Sequence, residues 1–152
     1  MSSRVTSAKR VTTAQLAVLV RDAITRVNRR MRQTRPVGDL TYSQISALQS
    51  IDLGGALTPR ELAEAERVQP PTMTRIVSRL EEMGLVARTP HPTDGRQVIL
   101  ALSPAGRELL EDYRRSRDEW LAQRLSELGP EDRDTVARAA EILARIARKN
   151  HS

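Results

Sequence analysis

The chain has 152 residues, a formal net charge of +6, no Cys, no Phe, one Trp and two Tyr. That length suits one domain with a real core, built here from Leu, Ile, Val, Ala and Met, which favours helices. The lack of Cys excludes disulfides, thiolate metal sites and thiol redox sensing; no apolar run reaches membrane-spanning length and no apolar stretch marks a secretory signal, so a cytoplasmic protein without membrane partners is expected.

Residues 1–11 are polar and basic and read as a flexible tail. From Thr13 to Gln33 the apolar residues Leu16, Leu19, Val20, Ala23, Ile24, Val27 and Met31 recur at helical spacing. They predict a long amphipathic helix whose other side carries Arg21, Arg26, Arg29, Arg30 and Arg32. That arginine run is either a solvated face or a surface near phosphates or an acidic ligand. Pro36 and Gly38 end the helix. Thr41-Tyr-Ser-Gln44 has the form of a capping box, so a second helix follows, with Ile45, Leu48 and Ile51 inward, and stops before Gly54-Gly55. Thr58-Pro59-Arg60-Glu61 is another such box, opening a short helix that buries Leu62 and Ala63.

A tight connection, Arg67 to Gln69, leads into QPPTMTRIVSRLEEMG. There Met73, Ile76, Val77, Leu80 and Met83 fall on one side of a helix. The opposite side carries Pro71, Thr74, Arg75, Ser78 and Glu82, with Arg79 on its flank. Pro70 and Pro71 suit a first helical turn, and Gly84 suits the left-handed stop. Small polar groups with guanidinium can enter a DNA major groove, where Arg pairs with guanine. Alone, the same face also fits an ordinary solvated helix; two short helices joined by a few residues make the helix-turn-helix arrangement.

After Gly84 the period changes to two. Leu85–Thr89 and Val98–Leu102 read as strands of a hairpin, with Asp94-Gly95 as the turn signal. Arg96 near that tip suits a minor groove, and Asp94 is close enough to hold it. Ser103-Pro104 caps a long helix from Ala105 to about Leu128, with Leu109, Leu110, Tyr113, Trp120, Leu121, Leu125 and Leu128 at threes and fours. Gly129-Pro130 separates it from a last helix, whose inward set is Val136, Ala139, Ala140, Ile142, Leu143, Ile146 and Ala147, ending near Lys149. The terminal helices carry more apolar surface than a monomer can cover, so pairing with a second copy is expected rather than a self-packed monomeric bundle.

The charge is uneven. Residues 1–40 carry a balance of +7, residues 41–103 a balance of −1, and residues 104–152 are neutral. A DNA face in the middle must therefore rest on few arginines. His91 and His151 are the only histidines, and neither sits in a catalytic or metal-ligand pattern, so neither an enzyme nor a cofactor is expected. Trp120 and Tyr113 read as packing residues or as the lining of a ligand cleft.

The element order, and above all PTMTRIVSRLEEMGLVARTPHPTDGRQVILALSPAGREL (Pro71–Leu109), resembles the MarR family of winged helix-turn-helix regulators. The resemblance spans about Ala14 to Arg148. Its most specific part joins Gly84-Leu85-Val86, the Asp94-x-Arg96 wing and the Leu102–Gly106 turn. It implies a mainly α fold with a small β-hairpin wing: a winged helix-turn-helix domain over 41–103, with long dimerisation helices over 12–35 and 104–149. It implies a homodimeric regulator, usually a repressor, on a pseudo-palindromic operator in double-stranded DNA. A small, often anionic aromatic effector would bind between the dimer helices and the winged domain and release the DNA. By position, Thr72, Thr74, Arg75, Ser78 and Arg79 would meet the major groove. Arg96, braced by Asp94, would enter the minor groove, and Thr58, Arg60 and Arg88 would contact phosphates. The chain departs from the family at Gln69, which replaces a good helix cap, and at Pro71, which replaces a small polar residue. The other reading of the residues is a winged module that binds protein, or coats DNA without choosing sequence, and needs no effector.

Overall fold

The computed structural model describes residues 11–33 and 39–148. Most of the basic tail lies outside the described residues, as do Pro36, Gly38 and Lys149. The described residues form α1 (Thr13–Arg32), α2 (Tyr42–Gly54), α3 (Pro59–Glu66), α4 (Pro70–Glu82), β1 (Val86–Pro90), β2 (Val98–Leu102), α5 (Pro104–Ser126) and α6 (Pro130–Arg148). The expected mainly helical chain with a small hairpin wing is thus what forms.

Local chemistry starts each element. Capping boxes open α1, α2 and α3, formed by Thr12 with Gln15, Thr41 with Gln44 and Thr58 with Glu61. In each, the hydroxyl accepts one orphan N–H and the third residue's side chain accepts the cap's own N–H. The box at Thr12 is one that the sequence pattern had not singled out. Helix α4 differs, because Gln69 makes no side-chain cap bond. Pro70 and Pro71 lack N–H groups, so little is left to cap; the next two amides, of Thr72 and Met73, donate to the Gln69 carbonyl at 3.0 and 3.1 Å. The missing cap therefore costs this helix less than the residue at position 69 suggests.

Gly84 ends α4 with φ 71. The Leu85 amide is still committed to that helix end, donating to the Leu80 carbonyl at 2.9 Å. For that reason β1 begins at Val86, one residue later than its pattern suggested. It pairs antiparallel with β2, from Val86 opposite Leu102 to Pro90 opposite Val98. Leu57 adds an isolated bridge to Leu100 on the other edge of β2.

One apolar cluster joins these parts. It holds Ile45, Ala47, Leu48 and Ile51 of α2, Leu62 and Ala63 of α3, and Met73, Val77 and Leu80 of α4. Leu85, Val86, Leu100 and Leu102 of the wing complete it, with Leu110 and Tyr113 from the first half of α5. Ile76 and Met83, expected inward, are half-buried at its edge.

The terminal helices behave differently. Neither α1 nor α6 has a buried residue. Of the inward set expected on α6, only Leu143 is even half-buried; Val136, Ala139, Ala140, Ile142, Ile146 and Ala147 stay exposed. Among the described residues their burial is not supplied by their own chain, because the buried core there takes in only the first half of α5.

Candidate nucleic-acid interface

Helix α4 is held from behind by Met73, Val77 and Leu80, each at most 1% exposed. Its outer face is then fixed by the helical period. Thr72, Thr74, Arg75 and Arg79 are exposed, and Ser78 is half-buried. The Thr74 hydroxyl donates back to the Pro70 carbonyl at 2.9 Å. Arg79 is paired with Glu82 at 3.1 Å, three residues on along the same helix. Among the described residues, the Arg75 guanidinium and the Thr72 and Ser78 hydroxyls have no partner. Arg75 is therefore the cation on this face whose charge no carboxylate among the described residues offsets.

The candidate phosphate residues flank that helix. Thr58 caps α3: its Oγ1 accepts the Glu61 amide at 3.2 Å, and its own amide donates to Glu61 Oε2 at 2.8 Å. The Thr58 amide, and second the Thr58 hydroxyl dipole beside it, hold the Glu61 carboxyl below its ordinary pKa. Arg60 pairs with Glu64 at 3.1 Å, and Arg88 on β1 pairs with Glu81 of α4 at 2.7 Å. The last pair ties the wing to the end of α4.

Arg96 lies on the tip of the wing and is exposed. Asp94 does hold it, but through the backbone: Asp94 Oδ1 accepts the Arg96 amide at 3.1 Å. No ion pair joins their side chains among the described residues. The guanidinium is left free at the tip, and Arg96 lines one shallow groove with Thr58 and Arg60. The tertiary structure thus brings wing and α3 together, although 36 positions separate Arg60 from Arg96 in the chain.

The sequence marks Arg67 only as the start of a tight connection, with no binding role. It is exposed in the turn between α3 and α4, in the left-handed conformation (φ 53, ψ 42). It shares a shallow groove with Arg60. The available signal was a long cation in a connection without glycine, which must spend a residue on positive φ to turn so tightly.

A third concavity lies between α1, α2 and α5, at about 420 Å³. Arg32 stacks over the Tyr42 ring at 4.0 Å. Arg117 donates to Asn28 Oδ1 at 2.8 Å and to the Tyr113 hydroxyl. Tyr113 therefore serves both core and cavity, while Trp120 is half-buried further along α5.

Two short helices joined by a tight turn, the second presenting a guarded but open cationic face, with a hairpin beside it, define a winged helix-turn-helix DNA-binding protein. Comparison with known proteins agrees. The model of the MarR family matches residues 40–98. An HTH-type transcriptional regulator of Mycobacterium tuberculosis is 45% identical over 130 residues, covering 86% of this chain and 91% of the relative. The transcriptional repressor MdtR of Bacillus subtilis is 33% identical over 108 residues, covering 71% of this chain and 68% of the relative. The crystal structure of a transcriptional regulator of Thermotoga maritima superposes with a TM-score of 0.78 at 27% identity, covering 90% of this chain and 96% of that one. This chain belongs to the MarR family. It is a helix-turn-helix transcriptional regulator, and neither its family nor its relatives are enzymes.

Proposed function

We propose that the chain is a cytoplasmic repressor that acts as a homodimer on a pseudo-palindromic operator and is released by a small anionic aromatic ligand. The observation that carries this reading is the coexistence, in one chain, of an exposed reading face on α4 and of uncovered apolar faces on α1 and α6. Leu16, Leu19, Ile24, Ile142 and Ile146 are each 46–58% exposed, which a second copy would cover. Dimerisation over 12–35 and 104–149 would set two copies of α4 about one DNA turn, roughly 34 Å, apart. The repressor named among the relatives supports the sign of regulation. No helix of the described residues is long and apolar enough to cross a membrane.

In this reading Arg75, Ser78 and Arg79, with Thr72 and Thr74, meet the major groove. Arg96, its backbone held by Asp94, enters the minor groove, and Thr58, Arg60 and Arg88 take phosphates. Specificity then rests on base contacts and affinity on phosphate neutralisation. A coat that ignores sequence needs abundant cations, whereas residues 41–103 balance at −1. The cavity bounded by Arg32, Tyr42, Tyr113, Arg114, Arg117 and Asp118 supports the effector: three guanidinium groups against one carboxylate suit an anion and two aromatic rings suit a flat body.

Selection of genomic fragments with the purified chain tests the whole reading. It should return a two-fold half-site motif, and a reporter behind that site should be repressed by the chain. Equal affinity for the motif and for random duplex at physiological salt would overturn it in favour of a sequence-blind module. Aromatic carboxylates should weaken binding in the wild type and not in Arg117→Ala; an identical response of both would exclude that cavity.

A further inference from the structure

His91 begins the tip of the wing, and its ring faces back into the loop. The backbone N–H groups of Thr93 and Asp94 each lie 3.2 Å from His91 Nδ1. The Thr93 hydroxyl is 3.2 Å from the same nitrogen. Two amide hydrogens converging on one ring nitrogen require it to be an unprotonated acceptor, so the neutral ring carries its hydrogen on Nε2. This is what an Asn or Asp side chain does in a turn, where it accepts from amides two and three residues on.

The rest of the tip is closed by bonds that run on from Asp94 and the His91 backbone. The His91 amide donates to the Gln97 carbonyl at 3.0 Å, and the Gln97 amide to the Asp94 carbonyl at 3.0 Å. The Arg96 amide donates to Asp94 Oδ1 at 3.1 Å. Arg96 is thus tied to Asp94, and Asp94 to His91. Gly95 and Arg96 form the turn that the bond from Gln97 to Asp94 closes, and Gly95 does so without a positive φ.

We infer that His91 is a positioning residue, which as a neutral acceptor fixes the backbone from Thr93 to Arg96 and so sets where the Arg96 guanidinium meets DNA. The inference deepens the wing reading above and rests on it. The competing role for the same side chain is direct donation from Nε2–H to a phosphate.

The test combines DNA binding with a readout that needs no DNA. The imidazole nitrogen shifts of the full chain, labelled with ¹⁵N-histidine, are recorded at pH 8, and His91 is assigned by the signal lost in His91→Asn. Affinity for the duplex recovered by genomic selection is measured for His91→Asn, His91→Ala, Arg96→Ala and the double alanine variant. His91 Nδ1 should show the shift of an unprotonated nitrogen. His91→Asn, which restores an acceptor, should bind within about twofold of wild type, and His91→Ala should lose about fivefold, the scale of one net hydrogen bond. The double variant should bind no worse than Arg96→Ala alone. A protonated Nδ1 overturns the inference, as do additive losses without rescue by Asn, which would assign the direct phosphate contact instead. Should Arg96→Ala bind like wild type, the wing reading is the one that fails. The nitrogen shifts, with amide exchange at Thr93 and Asp94, then decide the hold of His91 on the loop by themselves.

Discussion

Arg75 and Arg79 sit on the same helix, yet their states differ. Arg79 has a carboxylate within 3.1 Å, while Arg75 has no partner among the described residues. An exposed pair of this kind is worth little to stability, but it holds Arg79 Nη1 toward Glu82 and offsets part of the charge. Arg75 meets a base without such a neighbour. Replacing it with Ala should cost about 1–3 kcal/mol of operator binding and relax sequence preference at the base it reads. Binding to random duplex should change far less, and competition titrations against operator and random DNA measure both. Unchanged affinity on both would remove Arg75 from the reading face. Lys at the same position should not substitute fully, since a point charge lacks the two-pronged geometry of guanidinium.

Among the elements, the junction of β1 and α5 is the most demanding. The Ser103 hydroxyl accepts the Gly106 amide at 3.0 Å and donates to the Gly84 carbonyl at 2.5 Å. The Ser103 amide donates to the Leu85 carbonyl at 3.0 Å. This draws the first turn of α5 against Leu85 so closely that a Cβ on Gly106 would lie 2.1 Å from the Leu85 oxygen. Gly106→Ala must push backbone against backbone and should destabilise the fold by about 1–3 kcal/mol, the usual cost of overpacking. Urea unfolding would show it, and an unchanged midpoint would contradict the contact. The cap of α3 makes a prediction with a pH signature. Bonding to Thr58 lowers the Glu61 pKa in the folded chain, so the group binds fewer protons there than in the unfolded chain. Its contribution is present above the unfolded pKa and lost as pH falls through the lower folded one. Glu61→Gln should therefore lower the melting temperature most near neutrality, with the gap to wild type narrowing below the ordinary carboxylate range. A gap that does not change with pH would leave only a neutral cap.

At the scale of the molecule, two kinds of helix share one chain. Helices α2, α3 and α4 bury their apolar faces in a common core, whereas α1 and α6 bury none of theirs. Leu16, Val20 and Ile24 of α1 and Leu143 and Ile146 of α6 border an apolar groove of about 870 Å³. Apolar residues left exposed side by side on two helices mark an interaction surface. Ile24→Glu should shift the chain toward monomer in sedimentation velocity and weaken operator binding, with the winged core still folded by circular dichroism. A wild-type chain that sediments as a monomer would remove the dimer from the proposal.

The sequence by itself determined the elements, because caps, prolines, glycines and hydrophobic period act within a few residues of one another. Thr41 with Gln44, Thr58 with Glu61, Pro70-Pro71 and Gly84 each mark a helix boundary through local bonds, and the structure places a helix end at every one of them. The same local rules made the outer face of α4 legible, since a helix with Met73, Val77 and Leu80 behind must turn Arg75 outward. What the tertiary structure alone decided were relations across the chain and the state of each side chain. Arg96 beside Thr58 and Arg60, the bond from Arg114 to Asp52 at 2.8 Å and the closeness of Gly106 to Leu85 all depend on how helices pack. Which arginines are held by a carboxylate, and that His91 faces inward onto two amides, depend on rotamers and loop closure. No pattern of residue types encodes these, because several partners at equal spacing would satisfy the same pattern until the core fixes which of them meet.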